Sequence, residues 1–151
     1  MEGMFIAIAG VAICVGLSGI GSSLGIRYGG EAANAAMIED PKNFGKYLVL
    51  TALPGTQGIY GFVIGFLAMG NITTTLTPYQ GLGILCATLP MALLGLYSAI
   101  YQGKVAAAGI NMSVKHPEES GKALVLAVFI EFYAILGLVI SILLLNTLGA
   151  K

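Results

Sequence analysis

The chain has 151 residues, 57% of them hydrophobic and 9% charged, and its seven basic and seven acidic side chains cancel to a net charge of zero. That composition excludes an ordinary water-soluble domain, and the lack of a basic cluster excludes a nucleic-acid partner. A bilayer protein remains, and long apolar blocks rather than short alternating segments select helices over a closed β-barrel.

Four stretches are long enough to span, since about 20 mostly apolar residues cross a bilayer core. The first, Met4 to Ile26, follows Met-Glu-Gly with no basic leader and no small-residue cleavage site before Arg27, so it is expected to stay in the mature chain. The second runs from Tyr47 to Met69, the third from Gly81 to Tyr101 and the fourth from Ala123 to Leu148. The 22 glycines would weaken soluble helices, but in lipid small residues let helix backbones approach closely. Gly21, Gly25 and Gly29 form one such stripe, and Gly95, Ala99, Gly103 and Ala107 form another. Cys14 and Cys86 lie inside spans without metal or redox spacing, and both read as small packing residues.

The basic residues set the expected orientation. Arg27, Lys42, Lys46, Lys104, Lys115 and Lys122 fall in or beside the connections after spans one and three, whereas GNITTTLTPYQ, between spans two and three, carries none. The positive-inside rule places both basic connections in the cytoplasm and both termini outside a multi-pass protein of the cell membrane. His116 stands alone in the second basic turn and is expected to be solvated. Neither a G-x-x-x-x-G-K-[ST] loop nor a nucleophile–base pair occurs, so a non-catalytic chain without a nucleotide site is expected.

The chain repeats itself. Aligning Pro41 with Pro117 brings Gly45-Lys46, Leu48-Val49-Leu50, Ile59, Gly61 and Val63-Ile64 onto identical residues 76 positions later, and Gly19 and Ser22 onto Gly95 and Ser98. Residues 1–76 and 77–151 are therefore expected to be two copies of one helical hairpin. An even number of spans per copy makes the halves parallel, unlike the inverted repeats of many transporters.

Only the second copy holds an acid in mid-span. Glu131 interrupts LVLAVFIEFYAILGLVISILLL, and Gly55 occupies the matching place in the first copy. Glu131 lies about 13 Å along a helix from Lys122, near the middle of a hydrocarbon core about 30 Å thick. An isolated charge there costs about 2.5–3.5 kcal/mol on insertion scales, so a partner or an aqueous path is expected beside it. Gln102 is as far before the second turn as Glu131 is after it, which puts the two at one depth. The corresponding level of the first hairpin is LPGTQGIY, where Pro54 disturbs the helix ladder and frees carbonyls such as that of Leu53, while Thr56, Gln57 and Tyr60 add polar groups. One carboxylate, two amide oxygens, a hydroxyl and a carbonyl form an oxygen-only cage with a single negative charge. Such a cage suits a hard monovalent cation such as Na⁺. A proton needs only the acid and one acceptor, so H⁺ is the alternative. An ion pair between Glu131 and Lys104 is the structural rival, opposed by the i, i+2 offset of Lys104 from Gln102.

With these residues the chain resembles the K subunit, or sixteen-kilodalton-type proteolipid, of V-type rotary ATPases, and LPGTQGIYGF, Gln102 and FIEFYAILGL look most like its sodium-translocating bacterial members. The resemblance covers essentially the whole length. It implies an all-α membrane fold of four spans in two tandem hairpins, assembled with many copies into a ring. It also implies that Glu131 is the coupling carboxylate, that Thr56, Gln57, Gln102 and the Leu53 carbonyl are the other Na⁺ ligands, and that Tyr60 closes the site on Glu131. The implied partners are a stator membrane subunit with two half-channels and an arginine, a central stalk subunit, and the lipid bilayer. Rotation of the ring would couple ion flow to ATP hydrolysis or synthesis elsewhere. Two other readings remain, a small four-helix proton-coupled transporter acting as a dimer and a purely structural assembly protein.

Overall fold

A computed structural model describes residues 1–149. Ala150 and Lys151, at the end of the second expected hairpin, lie outside the described residues. The described chain is helical with no strand: α1 (Glu2–Glu39), α2 (Phe44–Ala52), α3 (Thr56–Met69), α4 (Pro78–Lys115) and α5 (Ser120–Gly149). The α2 and α3 helices are one span, joined through a 3₁₀ turn at Leu53–Gly55, so four helical segments are long and apolar enough to cross a membrane.

The apolar centres of the spans fall where hydropathy put them, but the helices are longer. Both α1 and α4 run for 38 residues, about 57 Å, against about 30 Å of hydrocarbon. Past Ile26 the first helix continues through RYGGEAANAAMIE, where alanines sustain helix although the charges end the hydropathy signal. Each long helix stops one residue before a proline, at Asp40 and His116, because the ring of a proline disfavours helical backbone in the residue before it. The Asp40 carboxylate takes hydrogen bonds from Asn43 Nδ2 (2.5 Å) and Tyr47 OH (3.3 Å). These donors, Asn43 first, hold its pKa below the usual carboxylate value. Lys46 Nζ donates to the Pro117 carbonyl at 2.9 Å and ties the two basic turns together. At the other end Thr77 and Gln80 form a reciprocal capping box that starts α4, with Pro78 at its first position.

The closest packing joins α1 to α4, and α3 and α5 lie against them. Along α1, Gly3 meets Thr77 and Gly81, Gly10 meets Leu85 and Thr88, Gly21 meets Gly95 and Leu96, and Gly25 meets Ala99 and Gly103. These pairs advance together, so the two first arms run parallel, as a tandem repeat with an even number of spans requires. Gly25 shows why glycine is needed: a methyl there would sit 2.5 Å from Pro54 Cβ and overlap the backbone of Ala99. Gly29, grouped with this stripe from its spacing, instead faces Thr51 of α2. Cys14 is buried as expected, whereas Cys86 is exposed on α4 and is not a packing residue of the single chain.

Two apolar clusters fill the interior. One gathers Ala7, Cys14, Ile64, Met91, Ala134 and Leu145; the other gathers Ala33, Tyr47, Leu50, Ile110 and Ala123 toward the basic turns. On every span the residues between these clusters include buried polar side chains.

Candidate functional site

That intervening layer contains Ser22 of α1, Gln57 of α3, Ser98 and Gln102 of α4, and Glu131 of α5, all buried. Glu131 is 9% exposed, and Gln57 and Gln102 are inaccessible. Polar groups withdrawn from water to this degree must find partners within the protein.

The acid finds them on two other helices. Its Oε1 accepts from Thr56 Oγ1 at 2.8 Å and from Tyr60 OH at 2.9 Å. Thr56 and Tyr60 are four residues apart on one face of α3, which lets both reach a single oxygen. Gln102 Nε2 lies 3.4 Å from Oε2 and donates to the Ala127 carbonyl at 3.1 Å. Thr56 owes its place to the turn before it. Pro54 has no N–H to give, the chain tightens into 3₁₀ geometry, and the Leu53 carbonyl accepts the Thr56 N–H. The Thr56 hydroxyl stands 3.0 Å from the same carbonyl and 3.3 Å from Gln57 Oε1. One hydroxyl hydrogen is thus shared among three acceptors, Leu53 O, Gln57 Oε1 and Glu131 Oε1. Around that hydroxyl, acceptor oxygens outnumber the hydrogen it has to give.

The amides are fixed from behind. Gln57 Nε2 donates to Gln102 Oε1 at 2.8 Å and to Ser98 Oγ at 3.1 Å, and Ser98 in turn donates to the Ile130 carbonyl at 3.0 Å. Ser22 Oγ accepts the Gly58 backbone N–H at 2.7 Å, taking a donor near the start of α3. Neither serine was singled out for the site from sequence, although their identity across the repeat marked both. Gln102, expected to offer the acid's level an amide oxygen, turns its nitrogen to the carboxylate while its oxygen meets Gln57.

The rival ion pair does not form. Lys104 Nζ lies over the rings of Tyr28 and Tyr101, 5.7 and 5.6 Å from their centres, on the exposed side of the helix pair. His116 is exposed beside Glu118, in accord with a solvated turn residue.

The family model for the ATP synthase C subunit matches the chain twice, over residues 9–68 and 85–144. The V-type sodium ATPase subunit K of Enterococcus hirae is 50% identical over 142 residues, covering 94% of this chain and 91% of that protein. The A-type ATP synthase subunit K of Methanocaldococcus jannaschii is 37% identical over 145 residues, covering 96% of this chain and 64% of that protein. The V-type proton ATPase 16 kDa proteolipid of Nephrops norvegicus is 27% identical over 146 residues, covering 95% of this chain and 92% of that protein.

Proposed function

The chain belongs to the ATP synthase C-subunit family, and from that premise we propose that it is a non-catalytic rotor-ring subunit of a V- or A-type ATPase that binds and carries Na⁺ at Glu131. The observation that carries the ion assignment is the shared hydrogen of Thr56, with three oxygens around one hydroxyl. Na⁺ satisfies all of them at once. The identity of 50% with a V-type sodium ATPase subunit K supports the same ion.

Glu131, Thr56, Gln57 and the Leu53 carbonyl are the proposed ligands; Gln102, whose oxygen meets Gln57, joins them by turning that oxygen toward the ion, and Tyr60 closes the site through Glu131. The first hairpin, residues 1–76, supplies Leu53, Thr56, Gln57 and Tyr60; the second, residues 77–151, supplies Gln102 and the charge. With Na⁺ bound the carboxylate is neutralised, and a neutral site crosses lipid at far lower cost than a bare charge. The ion enters through one half-channel of a stator subunit and leaves through another when a stator arginine replaces it as the counter-charge. Copies of the chain form the ring, both termini face outward, and the basic turns face the cytoplasm and a central stalk.

The test is equilibrium binding of ²²Na⁺ to the purified oligomer. Wild type binds saturably and Glu131→Gln does not. Absence of saturable wild-type binding removes the sodium assignment and leaves the same rotor as a proton carrier.

A further inference from the structure

The repeat placed serines at matching positions, Ser22 and Ser98, and only Ser98 touches an amide of the acid's cluster. We propose that Ser98 is a positioning residue for cation selection, fixing which end of the Gln57 amide faces Glu131. This rests on the sodium reading and deepens it.

A glutamine amide has two ends of similar shape and opposite polarity, so its neighbours decide its orientation. The Ser98 hydroxyl hydrogen goes to the Ile130 carbonyl, which leaves Ser98 Oγ an acceptor. Only the nitrogen end of Gln57 satisfies it, at 3.1 Å, and the second N–H goes to Gln102 Oε1 at 2.8 Å. With both hydrogens of Gln57 used on the α4 side, Oε1 is left beside Thr56 Oγ1, which itself meets the acid. A reversed amide would direct N–H groups at that position instead, filling an acceptor the cation needs. Ser98 is 5% exposed and Gln57 is fully buried, so water does not readily replace the lost contact. Protonation of the acid does not require the oxygen of Gln57. Ser98 therefore favours Na⁺ without a matching effect on H⁺.

The experiment compares ²²Na⁺ affinity in intact oligomers of wild type, Ser98→Ala, Ser98→Cys and Ser18→Ala. Alongside, it records the pH profile of Glu131 labelling by a carboxyl-directed carbodiimide without sodium. Ser98→Ala is expected to weaken Na⁺ binding about fivefold, the worth of one buried hydrogen bond. Ser98→Cys, similar in volume but a weaker acceptor, falls between it and wild type, and carries the test if the alanine variant does not assemble. Ser18→Ala, which removes a buried serine bonded to the Met91 carbonyl and not to an amide of the cluster, leaves affinity unchanged. The labelling pH profile stays as in wild type. Wild-type affinity in both Ser98 variants overturns the proposal alone, as does an equal shift of sodium affinity and pH profile, which would mark a general loosening. Failure of wild type itself to bind Na⁺ overturns the sodium reading and this inference with it.

Discussion

Glu131 keeps a carboxylate in the middle of an apolar helix because its two oxygens are met by Thr56, Tyr60 and Gln102 from two other helices. Each of these partners has a separable effect. Thr56→Ala removes both the hydroxyl hydrogen shared among Glu131, Leu53 and Gln57 and a ligand oxygen, and ²²Na⁺ binding should weaken about tenfold or more. Gln102→Ala strands the Gln57 amide as well as losing its own oxygen, and a similar loss is expected in the same assay. Tyr60→Phe keeps the ring and loses one donor on Oε1; the equilibrium affinity should change less than about tenfold while release of bound ²²Na⁺ accelerates, as rapid filtration would record. The residues of this cluster were legible because polar side chains are rare in the spans and the turn sets Gln102 and Glu131 at one depth. The orientation of each amide was not legible. It depends on Ser98 and on the Ala127 and Ile130 carbonyls, whose facing follows from helix rotation rather than from residue type.

At the scale of helices, the crossing of α1 and α4 touches the turn that carries Thr56, because Gly25 packs there against both Ala99 and Pro54. Gly25→Ala overpacks the contact, at a cost of about 1–3 kcal/mol, and should lower the thermal dissociation temperature of the purified oligomer and weaken Na⁺ binding together. Gly45→Ala, where an added methyl meets nothing within 4 Å, should leave both unchanged or raise stability slightly. A neutral Gly25→Ala would contradict the close crossing. The spans and their repeat were readable from hydropathy and from identities 76 residues apart. The lengths of α1 and α4 were not, since a hydropathy window ends at Arg27 and Lys104 whereas alanine-rich helix continues to Glu39 and Lys115. The proline in LPGTQG announced a disturbance, but only the fold shows that it takes the form of a 3₁₀ turn holding Thr56 beside Leu53 O.

Taken whole, the molecule exposes large apolar side chains on many sides, among them Phe5, Phe62, Phe66, Leu126, Phe129 and Leu136. Lipid and further copies of the chain are the natural covers for such a surface. A ring predicts a single large assembly of many copies in mild detergent by mass measurement; a monodisperse dimer would favour the transporter reading instead. The two hairpins together build one acid cluster per chain, so the proposed ring would carry one cation per chain around its circumference. The most direct test of that cluster is carbodiimide modification of the intact oligomer at fixed pH, with the modified residue identified by mass spectrometry and sodium varied against potassium. Modification at Glu131 that sodium suppresses and potassium does not is the predicted result. Modification of Glu131 that ignores sodium and follows acidity alone would contradict a sodium site there.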